Sequence, residues 1–309
     1  MKAIIRILFC VAMLGVALRV TFHDALPMTA VAYYVLTPMV IAIILATTGV
    51  LLLASHRPLS ACATLFAALL MAVVEGSNQL GFASCASFDS PQLRVITSNV
   101  GGIRGRPRAI RANVADVLSG FNADIVVLSE APRSSTTNPD FWRSRFPGYS
   151  VAVPGDGLGL IIISRSSLFD VRVHELGRRA YLVTAQGAFH GRSLEIFLVD
   201  FPSNPRAIRQ PLIQNPQLLR PPPSGTGRVL MGDFNTPRDS KWFDAYEGLY
   251  TNAFDQSGQG WRKTWPSLVP VLDIDHIWTA GNLLAVCTQV PAIRSSDHRP
   301  VVADLAWSS

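Results

Sequence analysis

Lysine is nearly missing from this chain. Only Lys2, Lys241 and Lys263 occur among 309 residues, so the formal net charge of +6 is an arginine charge. Arginine forks suit phosphate recognition, yet a biased codon supply gives the same skew, and the charge alone marks no nucleic-acid partner. Cysteine is scarce too: Cys10, Cys62, Cys85 and Cys287. Their spacing fits no metal-binding motif, which removes a thiolate-held metal from consideration. Cys10 and Cys62 fall in apolar runs as small hydrophobes. Cys85 and Cys287 belong to a more polar region and could pair if it faces an oxidising compartment. No repeat or low-complexity tract occurs.

Charge is also lacking up to about residue 75. Ile4–Val20 is apolar apart from Arg6 and Arg19, Thr29–Ala54 is an uncharged run, and Leu59–Val74 is a shorter one. A helix needs about 20 apolar residues to cross a bilayer, with a range near 17–25. The middle run qualifies clearly, and the outer two stand at the lower limit. The first has the basic start of a signal peptide, but another apolar span follows it instead of a mature domain. Residues 1–75 therefore predict a membrane anchor of three transmembrane helices, about 4–20, 29–54 and 59–75. Lys2, Arg6 and His56-Arg57 favour cytoplasmic placement of the N-terminus and second loop, with Arg19 arguing weakly the other way. Three crossings then put everything beyond residue 75 outside the cytoplasm, in a multi-pass protein of the cell membrane.

Residues 76–92 are rich in Gly, Ser and Ala and read as a linker. From 93 to 309 short apolar runs recur: Leu93–Ser98, Ile125–Ser129, Leu160–Ser164, Tyr181–Ala185, Leu194–Val199, Val229–Met231, Ile274–Trp278 and Val301–Leu305. Helical patterns at Arg108–Ser119 and Lys241–Glu247 lie between them, and Asn215–Gly227 reads as a surface loop. Many strands with few helices predict an α+β fold, a two-layer β-sandwich flanked by helices.

One stretch organises this region: Val229-Leu230-Met231-Gly232-Asp233-Phe234-Asn235. Gly232 permits a close backbone approach. At strand period Asp233 and Asn235 point one way and Phe234 the other. A carboxylate beside a carboxamide suits a metal-bound phosphate and its attacking water, although an Asx turn closing a strand has the same letters. The pattern repeats elsewhere. Asn99, Glu130 and Asp200 each end an apolar run, Asp275 begins one, and Asp297-His298 precede the last. Strand ends on one edge of a sandwich would gather these groups.

In this order Asn99, Glu130, Gly232–Asn235, Asp275 and Asp297-His298 resemble the endonuclease/exonuclease/phosphatase superfamily over about residues 93–307. Three spans ahead of such a domain resemble, more narrowly, the VanJ-like bacterial membrane proteins, a family linked to glycopeptide resistance and to dephosphorylation of undecaprenyl pyrophosphate. The resemblance implies a Mg²⁺ (or Mn²⁺) site at Asn99, Glu130 and Asp297. It also implies that Asp233 orients or deprotonates water, that Asn235 donates to a phosphoryl oxygen, and that His298 contacts phosphate with its ring held by Asp275. His276, adjacent to Asp275 on a strand, points to the opposite face and receives no role. Two positions depart from the superfamily: Asp200, kept among the candidate catalytic residues as either a metal-side carboxylate or a pocket-specific variant, stands where a His is common, and Asp273 where Arg is common. Both remove positive charge near the substrate; Arg206 and Arg209, taken as substrate contacts, and Arg299 could compensate.

The leading expectation is a membrane-anchored, metal-dependent phosphohydrolase acting on a membrane lipid or lipid-linked phosphate. A surface nuclease with the same mechanism is the second reading, with Trp142, Trp261 and Trp265 available as base platforms. A catalytically dead binding scaffold is the third. No protein partner is expected.

Overall fold

Proline sets helix starts in the N-terminal region. Pro27, Pro38 and Pro58 each occupy the first turn of a helix, where the missing N–H would have had no partner anyway. The structure is a computed structural model describing residues 1–85, 93–101, 108–132, 139–155, 157–293 and 295–308, the side chains of 108–113 excepted. It divides into two compact units. The first comprises Met1–Leu80 with the short segments Asn204–Ile208 and Asp239–Lys241, and the second holds the rest.

In the first unit α1 (Lys2–Ala17) continues as a π-helical turn, Leu18–Phe22, and is followed by α2 (Pro27–Val35), α3 (Pro38–Ala54) and α4 (Pro58–Gln79). Two helices, Lys2–Phe22 and α4, are long and apolar enough to cross a membrane. The run 29–54, which promised the clearest span, is bent: α2 and α3 meet at 61° and pass as a third span only when taken together. Pro38 is the cause, because its ring disfavours helical geometry at the preceding residue. Thr37 is extended at ψ 157° and its hydroxyl caps Val40 N at 3.3 Å. The break leaves carbonyls of α2 without helical partners, and Arg19 supplies them. Its Nε donates to Leu36 O at 2.9 Å and a terminal nitrogen to Tyr33 O at 3.0 Å. Helix α4 overruns the anchor boundary expected at residue 75. Of the expected linker, 76–79 is helical, 80–82 is a strand, and 86–92 lie outside the described residues.

The second unit holds β1 (Leu80–Phe82, its first residue the last of the preceding unit), β2 (Leu93–Asn99), α5 (Arg108–Gly120), β3 (Ile125–Ser129), β4 (Ser150–Ala152), β5 (Ile161–Ser164) and β6 (Leu168–Gly177). There follow β7 (Ala180–Phe189), β8 (Arg192–Asp200), β9 (Gly227–Asp233), β10 (Thr251–Asn252), β11 (Gly258–Trp261), β12 (Asp275–Gly281), β13 (Leu283–Gln289) and β14 (Val301–Trp307). They form an eight-stranded sheet, β1-β11-β13-β14-β2-β3-β5-β4, and a six-stranded sheet, β10-β12-β9-β8-β7-β6. Alternate side chains of both sheets meet in the middle, among them Leu93, Val95, Ile125, Val127, Leu194, Ile196, Leu198, Val229, Met231 and Ile277. The outer faces are covered as well. Val114 and Leu118 of α5, with Trp142 and Phe146, pack on Ile96 and Val126. Leu212, Leu218, Phe243 and Tyr246 cover Phe197, Leu230 and Trp278. This is the flanked two-layer sandwich expected. Cys85 and Cys287 are joined in a disulfide, tying the segment after β1 to β13.

The parallel pair β8–β9 comes close at Gly232. A Cβ there would lie 2.0 Å from Val199 O, at a backbone φ of +143°. Gly232→Ala therefore combines a forbidden conformation with a backbone collision and costs about 3 kcal/mol or more. A melting curve should shift down by roughly 6–12 °C; an unchanged midpoint would contradict the geometry.

Candidate active site

The inward-facing rows of the six-stranded sheet change character at one end. Leu198, Met231 and Ile277 form an apolar rung across β8, β9 and β12, and the next rung in register is Asp200, Asp233 and Asp275. Side chains directly opposite on paired strands share a face, so the core rows run directly into a row of carboxylates. The opposing sheet does the same along β2, from Val95 through Thr97 to Asn99. Asn99 closes the gap between the sheets by donating from Nδ2 to Asp233 Oδ2 at 2.7 Å. Phe234 turns the other way, edge-on to Phe201 and Phe243 in the outer cluster.

Asp233 is buried, and burial pushes its carboxyl up to about 7, with the Asp275 charge adding to the rise. His298, Asn99 and the backbone of Asn235 work against that shift. His298 Nδ1 lies 2.8 Å from Asp275 Oδ2. Burial disfavours the imidazolium, but the charge and hydrogen bond of Asp275, then Asp233 and Asp297, outweigh it and hold His298 at about 10. Asp233, Asp275 and His298 offer ligand atoms within 4.8 Å of one another. In this arrangement the Nδ1 edge of His298 is engaged by Asp275, and the three groups form a compact charged cluster at the end of the core.

A second group of donors lies beside it. Glu130 Oε1 is 3.3 Å from Asn99 Nδ2, and Asn99 Oδ1 accepts from Gly101 N at 2.7 Å. A Cβ on Gly101 would lie 2.3 Å from Glu130 Oε2, and one on Gly159 3.2 Å from the Glu130 carbonyl carbon. Glycine on both sides thus leaves room for a carboxylate that takes a left-handed φ of +54°, uncommon for a residue with a Cβ. The Asp297 side chain is exposed. The neighbouring Ser296 hydroxyl donates to Asn99 O at 2.7 Å, docking the Asp297-His298 segment on the end of β2. The Glu130 carboxylate and the Asn99 carboxamide, with the Asp297 carboxylate on the docked segment, are hard oxygen donors of the kind that a divalent ion of the Mg²⁺ class takes.

Asn235 also takes a positive φ, +46°. Its N–H donates to Asp233 Oδ1 and its Nδ2 to Phe201 O, both at 2.8 Å, leaving one amide hydrogen to give. Arg209, named from sequence as a substrate contact, is buried and donates to Asn235 O at 3.1 Å. It reaches the site through Asn235. Arg206 is exposed on the 204–208 segment that groups with the first unit. Asp273 is buried, 4.0 Å from Arg262. His276 packs on the outer face with Nε2 2.9 Å from Thr236 O, and burial pushes it down to about 4.

Sequence reasoning missed the supports. Ser296 also accepts from His298 N at 3.2 Å. Thr264 Oγ1 accepts from Ile274 N and Asp275 N at 3.2 and 3.3 Å. The doubled Ser295-Ser296 before Asp297-His298 was a legible signal for the first, whereas Thr264, eleven positions before Asp275, gave none.

Solved structures share this architecture. A humanized D. rerio TDP2 matches with a TM-score of 0.58 at 16% identity, over 69% of this chain and 98% of that one. An endonuclease/exonuclease/phosphatase from Bacteroides vulgatus gives 0.56 at 16%, over 70% and 99%. The Bacteroides thetaiotaomicron mannosyl-6-phosphatase Bt3783 gives 0.55 at 18%, over 70% and 100%. No curated protein matches the chain. The family model described as "Endonuclease/Exonuclease/phosphatase family" matches residues 96–298, a span holding the carboxylate rung, Asn99, Glu130, Asn235 and His298. The chain belongs to the endonuclease/exonuclease/phosphatase family.

Proposed function

We propose that residues 1–75 anchor this chain in the cell membrane and that residues 93–309 are an extracytoplasmic, divalent-metal-dependent phosphohydrolase. Its substrate in this reading is a lipid-linked phosphate or pyrophosphate such as undecaprenyl pyrophosphate, as in the VanJ-like proteins. The observation that carries the chemistry is the pairing of a buried Asp233, held at 2.7 Å by Asn99, with the His298–Asp275 couple at 2.8 Å. Two apolar helices of membrane-spanning length support a bilayer-borne substrate. The Cys85–Cys287 disulfide supports an oxidising compartment.

Glu130 and Asp297, with the Asn99 carboxamide, would hold the metal, whose contribution is to neutralise charge on the phosphoryl group. Asp233 accepts the proton of the attacking water and fixes its line of approach. The remaining Asn235 amide hydrogen donates to a phosphoryl oxygen, with Arg209 steadying Asn235 from behind. The His298 imidazolium faces the phosphate as a cation that Asp275 keeps charged. Asp200 adds a further carboxylate to the rung, which disfavours a polyanionic backbone more than a single headgroup. A nuclease is the second reading, supported by the similar D. rerio TDP2 structure complexed with a single-strand DNA product.

The test is the purified full chain in detergent with Mg²⁺, offered undecaprenyl pyrophosphate, phospholipid and DNA beside an Asp233→Asn control. Phosphate release from the lipid alone, lost on chelation and in the variant, is the expected result. DNA cleavage alone replaces the lipid reading with the nuclease. No turnover by either protein leaves the binding scaffold. A C-terminal reporter active only in the cytoplasm would overturn the orientation.

A further inference from the structure

The loop between β11 and β12 carries an apolar tip beside the candidate site. Trp265, Leu268 and Val269 are exposed, the last two at 80% and 70%. Scattered surface leucines are ordinary, but contiguous apolar patches mark interaction sites. From Trp265 to Leu272 the chain has no charged side chain, and Pro266 and Pro270 stiffen it.

Nor is this a slack loop that fails to fold inward. Its base is closed by paired backbone hydrogen bonds between Trp265 and Leu272. Ser267 N donates to Asp297 O at 2.8 Å, and the Ser267 hydroxyl to Ser296 O at 2.7 Å. Arg299 Nε donates to Ser267 O at 2.8 Å, and Lys263 Nζ to Val271 O at 2.9 Å. The three bonds at Ser267 fasten the loop to the same 296–299 segment that carries His298, the others close its base, and Leu268 and Val269 are left outward. An uncharged tip with two outward aliphatic side chains and a half-exposed tryptophan at its base has the composition of an element that enters the headgroup–acyl boundary of a bilayer.

We propose that the 265–271 loop inserts Leu268 and Val269 into the hydrocarbon edge of a lipid bilayer, holding the site's mouth at the headgroup level. The inference rests on the lipid-phosphate reading above and adds how the substrate is met: in the membrane surface, without extraction. A chain with helices long enough to span a membrane has a bilayer at hand, which favours lipid over a protein partner as the occupant.

The experiment uses the full chain with Cys10→Ser and Cys62→Ser, leaving the disulfide intact, and an environment-sensitive fluorophore on Leu268→Cys. The protein is reconstituted in phosphatidylcholine–phosphatidylglycerol vesicles carrying brominated acyl chains. The label should be blue-shifted and quenched by the bromines, whereas the same label on the exposed Ser193→Cys should not be. Equal, water-like emission from both sites overturns the insertion, and shielding from iodide without bromine quenching would assign the tip to protein. In a second arm Leu268→Asp/Val269→Asp should lower turnover of vesicle-borne lipid phosphate by about ten- to a hundredfold; unchanged turnover counts against the proposal. Quenching with no turnover by the unsubstituted protein would sink the enzymatic reading and leave the insertion standing.

Discussion

Asp233→Asn should lower turnover by roughly a thousandfold or more and, at pH 8 in chelator, raise the melting temperature. Both effects come from one fact: the carboxylate needed for proton acceptance is buried beside Asp275. Its folded-state value of about 7 stands above the ordinary 3.8. A carboxyl raised in this way contributes stability below its unfolded value, and that contribution is lost as pH climbs through the folded one. Above pH 7 the ionised group therefore burdens the fold, by at most about 4 kcal/mol for a shift of this size. Asparagine removes the charge, but one of its two atoms must then oppose a donor, either Asn99 Nδ2 or Asn235 N. The net gain should be about 1–3 kcal/mol. At pH 4, where Asp233 is protonated, the gain should vanish. A variant less stable than its parent at pH 8 in chelator would show that the ionised carboxylate is a comfortable part of the fold.

Asp275→Asn should move the pH–rate profile to lower pH and reduce its maximum by roughly 10²- to 10⁴-fold. The unsubstituted enzyme should gain activity through about pH 7 as Asp233 ionises, and lose it through about pH 10 as His298 gives up its proton. In the variant, burial acts on His298 without its chief opponent, so the alkaline limb should fall by several pH units. Asp233 loses a repelling neighbour and its limb should move the same way, though less. Stability follows the sign for a raised histidine: the His298 contribution is present below pH 6.5 and lost as pH rises through about 10. Rates from pH 5 to 11 decide the matter, and an alkaline limb that stays in place would remove His298 from the mechanism.

Much of this was legible because buried strands announce themselves. The runs at Ile125, Leu194 and Val229 are apolar on both faces, since helices cover the outside as the second sheet covers the inside. Strand β6 was missed for the opposite reason. It is an edge strand, largely exposed, and two register shifts against β7 break its period. The site residues could be named because each interrupts or borders an apolar run. Their order in the chain could not say which would touch. That Asn99 bridges the two sheets to Asp233, or that Asp200 joins Asp233 and Asp275 in one rung, depends on strand pairings hundreds of atoms apart in sequence. Arg209 shows the limit from the other side: its charge suggested phosphate, but its burial against Asn235 gives it a supporting place.

Arg19 has a consequence for topology. Counting basic residues in short connections treats each as a vote for the cytoplasmic side, and Arg19 was the one dissenting vote between the first two expected spans. A guanidinium occupied with the carbonyls of Tyr33 and Leu36 is plugging a helix break and is no longer a free charge facing the electrical asymmetry of the membrane. In the proposed anchor Arg19 then weighs less against an inward N-terminus, which Lys2, Arg6 and Arg57 favour.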